Sequence, residues 1–492
     1  MTIAVDLALL LGFLGMLGAA LVPRAWVAAA LAAPRSRGSA WCLVLFTVLT
    51  AGLLANYFLL LVLGRLSWVA ATGVALGFAS LAFRRLGAHG RGKAGAGPAS
   101  PRPDAISAKG GDTPRSPRLN GVAAPWPEAV GWLAAAMLWG ALIIWTLALP
   151  ITEWDPKSIW FFHAKIIYFA GGLFRDSGWT MPLLSFSQPD YPKLLPGLAA
   201  QAAWVLSYWN EYVPKLSLVV LQAVALIGLL AAATTRFVAL LLMAGIVVFN
   251  APSFTPGYAD IFLAVHACCA TVMLTGAVSD RRDELLLPGL LSCAMLPALK
   301  NEGILLALII LAAVGCVALQ RRKRGGWSAM APRAAAIAAI AFLPAVIWVV
   351  LRGSWDIHGQ AAFGADFWTR VQDRPAAEIA AILAEVAKQG KMVSSTVIIA
   401  LAALYLRRRL PAATLVCLAV GALYFSGLVL VYIGTPNPLV WHLSTSASRT
   451  ALSIHAVLYA GLAIALDAVL RALSMERGEP GNASRVLTVN RP

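Results

Sequence analysis

Two carboxylates, Glu153 and Asp155, stand two residues apart in ITEWDPKSIWFFHAKIIYFAGGLFRD, directly after a long apolar run and before an aromatic stretch carrying Lys157, His163 and Lys165. A carboxylate so placed can take the proton of a hydroxyl that attacks an electrophile. A second acid, Asp260, closes NAPSFTPGYAD; Lys300 and Glu302 fall in LKNEG between two very apolar runs; His442 and Arg449 occur in WHLSTSASR. Lys and Arg are natural partners of a phosphate, the first as a point charge and the second as a two-pronged donor. Each residue also has a plain structural reading: Asp155 as a cap before Pro156 at a helix start, Arg449 as an interfacial anchor, His442 as a satisfied interfacial side chain. Ionisable groups at membrane depth are costly and need partners, which makes the set together a candidate functional site.

The elements that position these residues are membrane helices. The 492-residue chain is 60% hydrophobic and 12% charged, against about 45–50% apolar in a soluble domain. Runs long enough to cross the roughly 30 Å hydrocarbon core recur throughout, and such runs satisfy their backbone as helices. The net charge of +17 comes from short clusters between apolar runs, a pattern of cytoplasmic loops and not of a nucleic-acid surface. All six cysteines lie in apolar segments and read as small hydrophobes, not disulfide partners or zinc ligands. The start, MTIAVDLALL, lacks the basic region of a cleavable signal and reads as a first spanning helix.

Spanning candidates fall at about 3–22, 41–63, 66–84, 126–150, 212–233, 236–250, 259–277, 285–299, 303–320, 332–351, 394–406, 411–433 and 449–471, roughly thirteen in an all-α polytopic bundle. This arrangement puts every Lys/Arg cluster on one side, the cytoplasm. It leaves 151–211, 251–258, 353–393 and 434–448 outside, with amphipathic helices in the external loops. The stretch 194–209 is apolar but would invert every later cluster if it crossed, so it is expected to dip in or lie at the interface. The segment after Asp155 is expected in the interface, aromatic face toward lipid and basic groups toward headgroups. Residues 1–84 read as a three-helix unit, 85–125 as a flexible basic cytoplasmic linker, 126–471 as the catalytic membrane domain and 472–492 as a cytoplasmic tail.

An acidic residue after a spanning helix, an amphipathic segment, Y-P-x-L-x-P, P…Y-A-D, K-N-E-G and a late S-x-x-R occur here in one order. That order resembles the GT-C superfamily of integral-membrane glycosyltransferases, in its bacterial members related to dolichyl-phosphate-mannose protein mannosyltransferases. The resemblance covers about 126–471, and three extra helices and the basic linker precede it. It implies an inverting enzyme at the periplasmic face of the bacterial inner membrane, passing a sugar from a polyprenyl-phosphate carrier to a glycan, lipid or protein acceptor. It points to Asp155 as the residue acting on the acceptor, with Glu153 two residues away as competitor, and to Asp260 as the second acidic residue. One base suffices for inversion, and the departing phosphate needs cations, for which Lys300, Arg449, His442 and Lys157 are available. No cofactor is required by these residues, although carboxylates beside a phosphate can hold a divalent cation. The competing classes are an O-antigen ligase or polymerase and a lipid-linked glycan transporter, the latter expected to show broken helices at the midplane and an internal repeat.

Overall fold

The computed structural model describes residues 2–33, 36–93, 126–174, 178–322, 330–357, 366–407 and 409–476. Most of the linker expected at 85–125, over 94–125, and most of the expected tail, over 477–492, lie outside the described residues. Among the described residues the chain is helical, with one isolated bridge between Arg65 and Gly172.

The first helices are α1 (Thr2–Leu21), α2 (Arg24–Ala32), α3 (Arg37–Leu63) and α4 (Leu66–Lys93), so a short α2 joins the three expected there and α4 runs on into the segment read as linker. After α5 (Trp126–Ala148) a π-helical turn over Pro156–Trp160 passes into α6 (Phe161–Ala170), followed by α7 (Leu194–Val205), α8 (Leu216–Ala232), α9 (Arg236–Leu242) and α10 (Ala251–Phe254). The centre of the molecule is α11 (Asp260–Ser279), then α12 (Leu286–Leu299) and α13 (Glu302–Arg322). The chain closes with α14 (Met330–Ala341), α15 (Leu343–Ser354), α16 (Phe367–Asp373), α17 (Ala376–Gln389), α18 (Met392–Tyr405), α19 (Ala412–Ile433), α20 (Leu439–Thr450) and α21 (Leu452–Glu476).

Among the described residues, eight helices are long and apolar enough to cross a membrane, or nine with α14 and α15 counted as one span bent by 44°. These are the marks of a multi-pass membrane protein. Every residue of α11 is buried, and the helix packs against α8, α12, α13, α19 and α21. One apolar core runs from Leu10 to Ile464, and α3 joins it by packing on α7, α8, α12 and α15.

Two of the segments expected outside the spans pack against protein. Leu194 to Ala203 of α7 are all buried by protein; at about 1.5 Å per residue a helix of 12 residues is too short to cross. In the segment after Asp155, Trp160, Phe161, His163 and Ile167 are buried by protein, with α7 against α6, while Phe169 is exposed. The reason is that α7 offers an apolar surface closer at hand than the bilayer.

The directions of the helices separate the charges. Asp260 and Glu302 open α11 and α13, and Arg449 lies just before α21. Arg281, Arg321 and Arg471 sit at the far ends of the same helices. Thr235 donates to Asp467 at 2.8 Å and Tyr405 to Glu476 at 3.0 Å, bringing the start of α9 and the end of α18 to that far end too.

Candidate functional site

Asp155 opens the Pro156–Trp160 turn but makes no capping hydrogen bond. Its carboxylate instead accepts from Nη1 of Arg449, 294 residues away, so the cap reading does not describe it. Both side chains are about one-fifth exposed, at 19% for Arg449 and 22% for Asp155. Nε and Nη2 of Arg449 donate to the Thr445 carbonyl at 3.1 and 2.9 Å, and its guanidinium lies 4.5 Å from the ring centre of Tyr258. The Tyr258 hydroxyl in turn donates to Glu153 at 2.9 Å. Glu153, Asp155, Tyr258 and Arg449 therefore form one connected group.

The P-G-Y-A-D loop reaches this group through Gly257, at φ +103°, where a Cβ would meet Phe161 at 2.8 Å and Pro156 at 3.1 Å. Only glycine allows both the backbone angle and the approach. On the other side, Nζ of Lys215 donates to the carbonyls of Leu149 and Thr146, holding the end of α5. Gln222 bridges Thr146 and the Phe254 carbonyl at 2.7 and 3.0 Å.

A second group is deeper. Lys300, 5% exposed, donates to Asp260 at 2.8 Å and pairs with Glu302 at 3.3 Å. Burial opposes its charge, but the carboxylates of Asp260 and Glu302 outweigh that and hold the ammonium well above the ordinary lysine range. The tight K-N-E-G turn needs its glycine, since a Cβ on Gly303 would lie 2.0 Å from the Leu296 carbonyl oxygen. Tyr191 donates to Glu302 at 3.5 Å. Among the described residues, one buried carboxylate oxygen each of Asp260, Glu302 and Asp190 has no hydrogen-bond partner.

Asp190 is the residue that sequence reasoning missed. It lies within SQPDYPKLLPG. Its Oδ2 accepts from Asn301 at 2.8 Å and lies 3.8 Å from Arg352 in the last turn of α15, while its carbonyl accepts from the Trp348 indole at 3.1 Å. Burial raises the Asp190 carboxyl above the usual range, against the lowering by Lys193 and Arg352.

Three residues on, Lys193 is fully buried between Trp179 and Trp348, its Nζ 4.3 and 5.1 Å from their ring centres. It donates to the Pro189 carbonyl at 2.7 Å and to Nδ1 of His163 at 3.1 Å. Ser187 donates to the Leu184 carbonyl and so accepts from His163 Nε2–H, which fixes the tautomer. Burial pulls Lys193 well below the ordinary lysine range, and burial followed by Lys193 holds His163 low. The residue expected to face headgroups is thus a neutral internal latch.

Of the other expected phosphate ligands, His442 hydrogen-bonds Thr435 through Nδ1 at 2.8 Å and packs near Tyr432, and Lys157 is exposed beside Asp155. Among the described residues no three His, Cys, Asp or Glu side chains come together as a metal site. The chain matches no protein-family model, and no curated protein or solved structure shows similarity to it.

Proposed function

We propose that the chain is an inverting glycosyltransferase of GT-C type. It moves a sugar from a polyprenyl-phosphate-linked donor to a hydroxyl-bearing acceptor at the periplasmic face of a bacterial inner membrane. The observation that carries the reading is the Asp155–Arg449 pair, a carboxylate and a cation brought together from the two ends of the motif order, at the end of the bundle away from the basic clusters. A charged lipid donor lying in the membrane and a water-side acceptor meet at such a place.

In the proposed step the acceptor oxygen attacks the anomeric carbon, its proton passes to Asp155, and the bond from that carbon to the phosphate oxygen breaks with its electron pair on the phosphate. A phosphate leaves readily, so one base and nearby cations suffice. Asp155 is the base because it is partly exposed and reachable, whereas Asp260 is 2% exposed and tied to Lys300. Glu153 shares the same loop and binds Tyr258.

The transporter reading is favoured by one feature, the 44° break between α14 and α15. Transfer assays separate the two. Asp155→Asn keeps shape but removes proton acceptance, and transfer from a polyprenyl-phosphate sugar should fall by roughly 10²-fold or more. Glu153→Gln should retain transfer. The reverse result would move the base to Glu153, and unchanged transfer in both would end the mechanism.

A further inference from the structure

The sequence points to Arg449 and Lys300 as the cations for the lipid phosphate, but each is already paired with a carboxylate of the protein. Arg449 uses Nε, Nη1 and Nη2 on Thr445 and Asp155 and stacks its face on Tyr258. Lys300 is held by Asp260 and Glu302, with its ammonium 5.8 Å from the Tyr191 ring centre and little exposure. A phosphate at either cation competes with a carboxylate that is already well placed. In the deeper pair that exchange would leave a buried carboxylate without its partner.

Arg352 is different. A guanidinium carries five N–H donors in a fixed fork, and among the described residues the charged partner of Arg352 is Asp190, at 3.8 Å, beyond direct hydrogen-bond reach. The Asp190 oxygen it faces already accepts from Asn301 at 2.8 Å, so Asp190 keeps a partner if Arg352 turns away. The side chain is 31% exposed, open to an incoming group. Its place is fixed from below: Trp348, one turn earlier on α15, donates to the Asp190 carbonyl, and Asp190 accepts from Asn301 of the K-N-E-G corner. Arg352, Asp190 and Asn301 therefore stand next to Lys300 and Glu302 without being consumed by them.

We propose that Arg352 is the phosphate-binding cation of the site, taking the phosphate of the lipid donor in its fork while Asp190 remains on Asn301. This rests on the glycosyltransferase reading and specifies its donor subsite. Arg449 then serves the acceptor side by orienting Asp155, and Lys300 holds the floor of the site.

The test is direct binding to the purified full-length protein in nanodiscs, using a polyprenyl monophosphate and the polyprenol of the same length. Wild type should prefer the monophosphate. Arg352→Ala should weaken monophosphate binding by about tenfold or more, the size of a lost charge-assisted hydrogen bond, and leave polyprenol binding unchanged. Arg352→Lys keeps the charge without the fork, should fold like wild type and should bind with intermediate affinity. It also keeps the test available if the alanine variant misfolds, because wild-type affinity in the lysine variant would exclude recognition by the fork. Monophosphate binding that survives Arg352→Ala but is lost in Arg449→Ala would overturn the proposal and return the phosphate to Arg449. A wild type that does not distinguish monophosphate from polyprenol would overturn the lipid-phosphate reading itself.

Discussion

Two arginine–aspartate pairs lie in this site and differ in every respect that matters to a ligand. Arg449 and Asp155 are in direct hydrogen-bond contact, and two further donors of the arginine go to the Thr445 carbonyl. Arg352 and Asp190 stand 3.8 Å apart, with the aspartate held by Asn301 instead. The first pair is a finished structural unit that orients a carboxylate; the second is a cation kept near the site without being used up. The same two residue types thus serve opposite ends, and the difference lies in how many donors the surrounding backbone and side chains consume.

The largest effect bearing on this comparison is expected at Lys300, the cation held by Asp260 and Glu302. Lys300→Met leaves Asp260 without its cation in a nearly closed pocket and should cost about 3–5 kcal/mol of stability in reversible unfolding in mixed micelles. Near-wild-type stability would show that Asp260 and Glu302 do not depend on Lys300. That would make the lysine available to a ligand and weaken the contrast with Arg352.

Double-mutant cycles compare the pairs themselves. Asp155→Asn with Arg449→Gln should give a coupling of about 1.5–3 kcal/mol, the range for hydrogen bonds to charged groups. Asp190→Asn with Arg352→Gln should give about 0.2–1 kcal/mol, as for a solvent-reached pair without a direct bond. Equal couplings would erase the distinction.

What the sequence disclosed follows the same division. Asp155, Asp260, Lys300 and Arg449 could be picked out because each follows or precedes an apolar run, where an ionisable residue stands out by position alone. All thirteen apolar stretches are helical for the same reason. Arg352 also ends an apolar run, but its significance depends on the bend at Phe342 and on a partner 162 residues away. Pro344, inside the run read as a single span, was the available sign of a break, since it supplies no backbone donor. Asp190 and Lys193 lie in a proline-rich loop with no periodicity, where no local rule says which side chain turns inward. The burial of His163 was hidden because an apolar helix at an interface and one covered by another apolar helix share the same pattern. Only the placement of α7 separates them.

The smallest expected effect concerns the latch behind the second pair. Lys193 follows Asp190 by three residues, and its bonds to Pro189 and His163 fix the loop from which Asp190 reaches Asn301 and Arg352. The latch requires a neutral His163, because Nδ1 must accept from Lys193. Burial, and then the charge of Lys193, lower the histidine in the folded chain, while in the unfolded chain it titrates near its ordinary value of about 6.5. Below that value the unfolded chain binds a proton that the folded chain refuses, so this group's contribution is complete above about pH 6.5 and is lost as the pH falls. His163→Asn offers an oxygen where Nδ1 stood and cannot be protonated. Its melting temperature should therefore fall less than that of wild type between about pH 6.5 and pH 5, even if the variant is less stable at neutral pH. Parallel profiles would show that His163 does not supply the acid sensitivity. A shallower profile for His163→Asn, combined with a smaller acid effect on Asp190–Arg352 coupling but not on Asp155–Arg449 coupling, would tie the latch to the open pair alone.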